Sequence, residues 1–222
     1  MSKQPNHHMS DELLLAYAAG SLAEAQSLIV ACHIASCPDC RAKLKAADSL
    51  GGVLLDTLPP EPVAAGSLEA LFARLDAPAA QDKPATSPIR LVQSIPGVPE
   101  VEAPAPLARY LGSLRWQRLG PGVRSYVLPT SGGASARLMR LAPGVRLPAH
   151  RHRGLELTLV LSGGYHDGLA HYGPGDISEM DEEHHHQPVV DKDGECIALA
   201  VTEKLALYDR FVYRLIQPLI GL

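Results

Sequence analysis

Residues 144–163 read GVRLPAHRHRGLELTLVLSG, and this stretch decides how the C-terminal half of the chain is built. His150, His152 and Glu156 fall at even positions, interleaved with Leu155, Leu157, Leu159 and Leu161. Side chains alternate between the two faces of a β-strand. A strand running on without a bulge therefore puts both imidazoles and the carboxylate on one face and the leucines on the other. Two imidazoles and a carboxylate converging inside a small barrel make a divalent-metal site. The bland alternative, three polar residues on a solvated face, leaves the leucine row to be explained by a second layer.

Working outward, short apolar runs recur from about Arg115 onward, split by Gly and Pro turns: Val123 to Leu128, Ala136 to Leu141, Leu155 to Leu161 and Cys196 to Val201. Strands at this spacing, with no helical pattern between them, indicate an antiparallel sandwich or barrel. Upstream the texture changes. Residues 77–106 carry seven of the nineteen prolines among Ala, Ser and Gln, a composition that buries too little apolar surface to offset its ordering entropy. That stretch reads as a linker. It separates a helical module over 1–76 from an all-β module over 107–222.

In the first module Asp11 to Ala19 is apolar on one side and stops at Gly20. Ser21-Leu22-Ala23-Glu24 has the form of a capping box opening a second helix to about Ser36. Pro38 suits a first helical position, so a third helix starts at CPDC and continues through Leu55, with Gly51 and Gly52 weakening its end. Beyond a proline break, Leu68, Leu71, Phe72 and Leu75 form one stripe of a fourth, amphipathic helix.

A second cluster of ligand-type residues lies here. His33, Cys37 and Cys40 are four and three apart, a spacing that returns side chains to one side of a helical path. Two thiolates and an imidazole suit tetrahedral zinc, with His7 or His8 as the fourth ligand. The alternative is a turn with one buried cysteine. A redox CxxC is disfavoured because no βαβ pattern surrounds it. Cys32, rotated about 100° from His33 on a helix, reads as core.

Four cysteines, with no basic stretch and apolar run at the N-terminus, fit a reducing compartment and metal chemistry better than a disulfide framework. The longest uncharged apolar runs are far shorter than the roughly 20 residues of a membrane helix. The expected location is the cytoplasm. Residues 1–76 hold five Lys/Arg against nine Asp/Glu, so the surplus negative charge sits in the helical module. Phosphate-backbone binding needs Lys and Arg, so a protein partner is expected there rather than nucleic acid.

The N-terminal residues resemble the zinc-binding anti-sigma domain, in which an upstream histidine and HxxxCxxC ligate zinc and a four-helix module sequesters extracytoplasmic-function sigma factors. The resemblance covers roughly residues 7–76. It implies His8, His33, Cys37 and Cys40 as zinc ligands, and Ser67 to Leu75 as a helix packing on the sigma factor. The stretch from Gly144 to Gly163 resembles the first cupin motif, which implies His150, His152 and Glu156 as ligands of zinc, manganese or iron. In the second cupin motif the last ligand histidine follows a glycine by eleven residues, which leads from Gly175 to His186. His184 shares its strand face and stays an alternative. Asp181 and Glu183 stand where that motif favours Pro and Gly.

Together, helical zinc module, linker and all-β cupin barrel resemble the ChrR-type anti-sigma factors. That resemblance implies a cytoplasmic regulator that holds a sigma factor inactive and releases it on an oxidative signal, singlet oxygen or organic peroxide, sensed by the cupin. A metal-dependent cupin dioxygenase with a helical assembly module is the alternative.

Overall fold

The computed structural model describes residues 4–76, 93–112, 115–204 and 207–208. Four helices come first: α1 Asp11–Ala18, α2 Glu24–Ser36, α3 Pro38–Asp56 and α4 Ser67–Asp76. Ser10 caps α1, its hydroxyl oxygen accepting from the Leu13 N–H at 3.2 Å. α2 starts differently from the capping box expected at Ser21. Ala23 occupies the cap, and the Gln26 side chain accepts the Ala23 N–H at 3.1 Å, while the Ser21 hydroxyl turns back to the Ala16 carbonyl. Pro38 is the first residue of α3, as expected. The helix runs on through Gly51 and Gly52 to Asp56, within a residue of the end expected at Leu55.

A hairpin follows, β1 Gln93–Ile95 and β2 Val98–Ala103, and then the short helix α5 Ala105–Ala108. The hairpin and the first two residues of α5 fall in the stretch expected to be linker, and the expectation fails for this part of it. Pro96-Gly97 makes the turn, with Gly97 at φ +82, and Ile95, Val98, Val101 and Ala103 are buried. Pro96, one of the prolines that suggested an extended linker, sits in the turn of a packed hairpin. The rest of that stretch, residues 77–92, and the end of the 107–222 module lie outside the described residues.

The all-β part contains β3 Gln117–Gly120, β4 Val123–Val127, β5 Ser135–Leu141, β6 His150–Arg151, β7 Glu156–Ser162, β8 Tyr165–His166 and β9 His171–Tyr172. It goes on through β10 Ile177–Met180, β11 His185–His186, β12 Val189–Val190, β13 Cys196–Thr202 and β14 Leu207–Tyr208. Every strand pairing is antiparallel. A six-stranded sheet has the order β10-β7-β13-β5-β4-β3, and two three-stranded sheets, β11-β6-β14 and β12-β8-β9, complete a jelly-roll barrel.

Period-two alternation divides the large sheet between two cores. Met139, Leu141, Val160 and Ala198 face the barrel interior with Tyr165, Tyr172 and Met180. Ala136, Leu138, Leu157, Leu159, Leu199 and Val201 face outward, and there they share one buried cluster with the hairpin and with Leu13, Leu14, Leu28, Ile29 and Val30 of the helices. The leucine row of the cupin stretch thus supplies the floor on which α2 lies. Glu24 clasps the same junction, accepting from the Tyr110 hydroxyl at 2.6 Å and from the Ser131 N–H at 2.7 Å. The far half of α3 and all of α4 take no part in this core; α4 has no buried residue.

Candidate metal centres

The first centre forms where the chain entering α1 meets the α2–α3 corner. His33 sits in the last turn of α2, Cys37 caps α3 with its sulfur accepting from the Cys40 N–H at 3.4 Å, and Cys40 follows in the first turn. The Nδ1 atom of His8 lies 3.2 Å from Cys37 Sγ and 3.6 Å from Cys40 Sγ. A tetrahedron built from the usual Zn–N and Zn–S bond lengths has edges of about 3.5 Å, so these separations fit one metal ion. One ligand-type atom of each of His8, His33, Cys37 and Cys40 lies within 4.8 Å of the others. His33 is fully buried, and among the described residues its Nε2 has no hydrogen-bond partner. Such an orphaned buried nitrogen is costly unless a cation takes its lone pair. Burial drives the His33 imidazole down to about 4 and pushes the Cys40 thiol up to about 11, with neighbouring Cys37 adding to the latter. Both shifts disfavour charge and leave room for a compensating cation.

His7 and His8, adjacent in sequence, part company. The His7 ring turns to Tyr172, with centroids 4.7 Å apart, and its Nδ1 lies 3.4 Å from Asp176 Oδ2. Only His8 faces the sulfurs. Cys32 is buried apart from the cluster, its thiol pushed up to about 12 by burial.

The second centre lies in the barrel. His150 is on β6, Glu156 begins β7 and His186 ends β11, paired directly with His150. Glu156 does not reach the cluster along one unbroken strand. β6 ends at Arg151, and a bend through Gly154 intervenes before β7, where an added Cβ would meet the Glu203 carboxylate at 2.7 Å. Ligand-type atoms of His150, His152, Glu156 and His186 lie within 4.8 Å of one another. His150 Nδ1 donates to the Pro148 carbonyl at 2.8 Å, which leaves its Nε2 as a lone-pair acceptor. His186 Nδ1 lies 3.3 Å from Asp167 Oδ2, a buried carboxylate, and a proton on that Nδ1 leaves the His186 Nε2 as an acceptor too. Yet the Nε2 of His186 lies 3.2 Å from that of His150 and 3.0 Å from that of His152. At 3.2 Å the lone pairs of His150 and His186 repel unless a cation lies between them. The donor set fits a divalent metal.

His184 lies outside. It precedes β11, and its Nδ1 meets the exposed Asp181 carboxylate at 2.7 Å. Alternation placed His184 and His186 on one strand face, but the strand comprises only His185–His186. Tyr165 lines the cavity beside the cluster, while His166 and His171 are exposed. Asp167 gave no sequence signal, because only the fold brings it behind His186.

A cavity of about 260 Å³ opens beside the second centre. His150, Glu156 and His186 line one part of it, and Leu119, Met139 and Leu147 are among its apolar walls. Burial pushes the Glu156 carboxyl up to about 7, although 16% of its side chain is exposed. Burial, with His150 and His186 alongside, drives His152 down to about 3.

A helical module with a Cys2His2 cluster, seated on a cupin barrel with a His3Glu cluster, defines the class of protein. Residues 107–205 match the family of ChrR cupin-like domains. Over 216 residues the chain is 43% identical to the anti-sigma-E factor ChrR of Cereibacter sphaeroides, a match covering 96% of each chain. It also matches a chain in the crystal structure of Rhodobacter sphaeroides SigE in complex with the anti-sigma ChrR, at TM-score 0.74 and 43% identity, over 90% of this chain and 100% of that one. The chain belongs to the ChrR family of anti-sigma factors.

Proposed function

We propose that this protein is a cytoplasmic anti-sigma factor that sequesters an extracytoplasmic-function sigma factor through its helical module and releases it when the cupin barrel receives a signal. The relative of known structure is crystallised with SigE, and the match spans nearly the whole chain. The observation that carries the reading is the exposed apolar surface of α3 and α4. Leu50, Val53, Leu54, Leu68, Leu71 and Phe72 are each at least half exposed. Exposed apolar side chains in such number on neighbouring elements mark a protein interface. Among the described residues no helix is long and apolar enough to cross a membrane.

In this reading zinc is the metal of the first centre and has a structural role, since two thiolates and two imidazoles complete a tetrahedron. A metal in the second centre, zinc, manganese or iron, supplies a Lewis-acidic and, for iron, redox-active position facing the apolar cavity. His150, His152, Glu156 and His186 hold it, and Asp167 orients His186. The signal is oxidative, singlet oxygen or an organic peroxide, and the apolar walls suit a peroxide with a hydrocarbon body.

Co-purification with a sigma factor encoded beside this protein's gene is the direct test. A stable complex supports the proposal, and failure to bind any extracytoplasmic-function sigma factor overturns it. The His3Glu cluster at the end of an apolar cavity would equally serve a cupin dioxygenase; oxygen uptake by the iron-loaded protein would favour that reading.

A further inference from the structure

His33 bonds to the barrel as well as facing the first centre. Its Nδ1 lies 2.9 Å from the carbonyl oxygen of Gly175, in the turn between β9 and β10. A carbonyl only accepts, so Nδ1 carries the proton and the orphaned Nε2 presents its lone pair to the cluster. The next residue, Asp176, holds the other side of the centre. Its Oδ1 accepts the backbone N–H groups of Asn6 and His7, immediately before His8, and its Oδ2 accepts the Gly173 N–H at 2.8 Å. Asp176 is 2% exposed, and these bonds hold its carboxyl below the usual range in spite of its burial. Gly175 has φ +90, and an added Cβ would stand 3.0 Å from Pro5, so the two modules touch backbone to ring. Further along, the Glu179 carboxylate accepts from the N–H and hydroxyl of Ser10 at 2.9 Å.

The turn is rigid on its barrel side. The Gly175 N–H donates to the Val160 carbonyl at 2.8 Å, and β10 pairs with β7 so that Met180 stands opposite Glu156. One strand therefore has the first centre at its beginning and the second at its end.

We propose that Gly175 and Asp176 of the barrel form the outer shell of the first metal centre, so that its metal is held firmly only while the helical module is docked on the barrel. This rests on reading His8, His33, Cys37 and Cys40 as a metal site. Outer-shell partners that fix a ligand's tautomer and position change metal affinity by about 10- to 100-fold. The barrel and the helical metal are then linked: whatever moves the β9–β10 turn loosens the metal, and loss of the metal loosens the docking.

The test uses the full-length protein loaded with cobalt(II). Thiolate-to-cobalt absorption reports only the first centre, because the barrel cluster contains no sulfur. In competition with a chelator, Asp176→Ala should release that cobalt about 10- to 100-fold more readily than the wild type. Asp176→Asn, which keeps an acceptor oxygen for Asn6 and His7, should recover most of the affinity. Equal retention by Asp176→Ala and wild type overturns the outer shell while the metal site stands. No thiolate–cobalt band in the wild type overturns the metal site itself. If Asp176→Ala does not fold, histidine-ring nitrogen NMR of the loaded wild type decides. A proton on His33 Nδ1 in contact with Gly175 supports the proposal, and a proton on Nε2 overturns it.

Discussion

The Nδ1 atom of His152 stands 3.4 Å from Oε2 of Glu156, across the bend that separates β6 from β7. Each group is shifted toward its neutral form, the carboxyl up to about 7 and the imidazole down to about 3. In metal-free protein near pH 6 the two therefore meet largely as carboxylic acid and neutral imidazole. A metal needs the carboxylate.

Metal uptake by the barrel should accordingly release about one proton from Glu156 at pH 6 and much less at pH 8, with affinity rising as pH passes through about 7. The folded-state value lies above the ordinary 4.5, so the folded, metal-free protein binds more protons than the unfolded chain between the two. The stability contributed by this group is present below pH 4.5 and is lost as pH rises to about 7. Titration calorimetry in buffers of different ionisation enthalpy measures the proton release. A release that does not change with pH in wild type, or that persists in Glu156→Gln, counts against it.

Cys40→Ser should remove the metal of the first centre and leave that of the barrel in place. Structural zinc contributes on the order of 10 kcal/mol of apparent binding free energy to small modules, so the protein, whose helices share a core with the barrel, should unfold at a much lower temperature. Metal analysis with helix-specific circular dichroism checks both parts. Retention of two metal ions per chain would show that Cys40 is not a ligand.

Phe72→Glu should separate folding from partner binding. The Phe72 side chain is 55% exposed and belongs to no core, so the melting temperature should hardly move. Binding of the sigma factor should weaken by about 30-fold or more if Phe72 is an anchor of the interface. Unchanged affinity would move the interface elsewhere.

Ile29 lies fully buried on α2, in the cluster that also contains Leu157 and Leu199 of the barrel. Ile29→Ala should cost about 2–5 kcal/mol. Because the core is shared, helices and barrel should lose that stability together. Two resolved transitions, with only one shifted, would show that the modules melt independently.

Much of this was legible in the sequence because it depended on local rules. Strand alternation marked Val123–Val127, Ser135–Leu141, Glu156–Ser162 and Cys196–Thr202 to within a residue or two, and proline at a first helical position marked α3. Which of two neighbouring histidines turns inward was not legible. His7 and His8 differ only in what Tyr172, Asp176 and the two sulfurs offer them, and those partners are distant in the chain. His184 and His186 share parity, but parity applies only within a strand, and His184 lies before it. The hairpin at 93–103 was hidden because prolines signal an extended chain and a tight turn equally well. The bonds from Gly175 and Asp176 to the helical centre span more than 140 residues and had no local signature.

Among the described residues, the ten of α4 bury none of their side chains. An isolated helix shorter than about 12–15 residues is marginal in water. If α4 binds the partner as proposed, docking would add to the helix the tertiary support it otherwise lacks, and the two would be coupled. Part of the gross contact energy is consumed in ordering the segment, about 2–5 kcal/mol for comparable cases. A complex made this way covers a wide surface yet stays within reach of dissociation, as an inhibitor that must eventually let go requires.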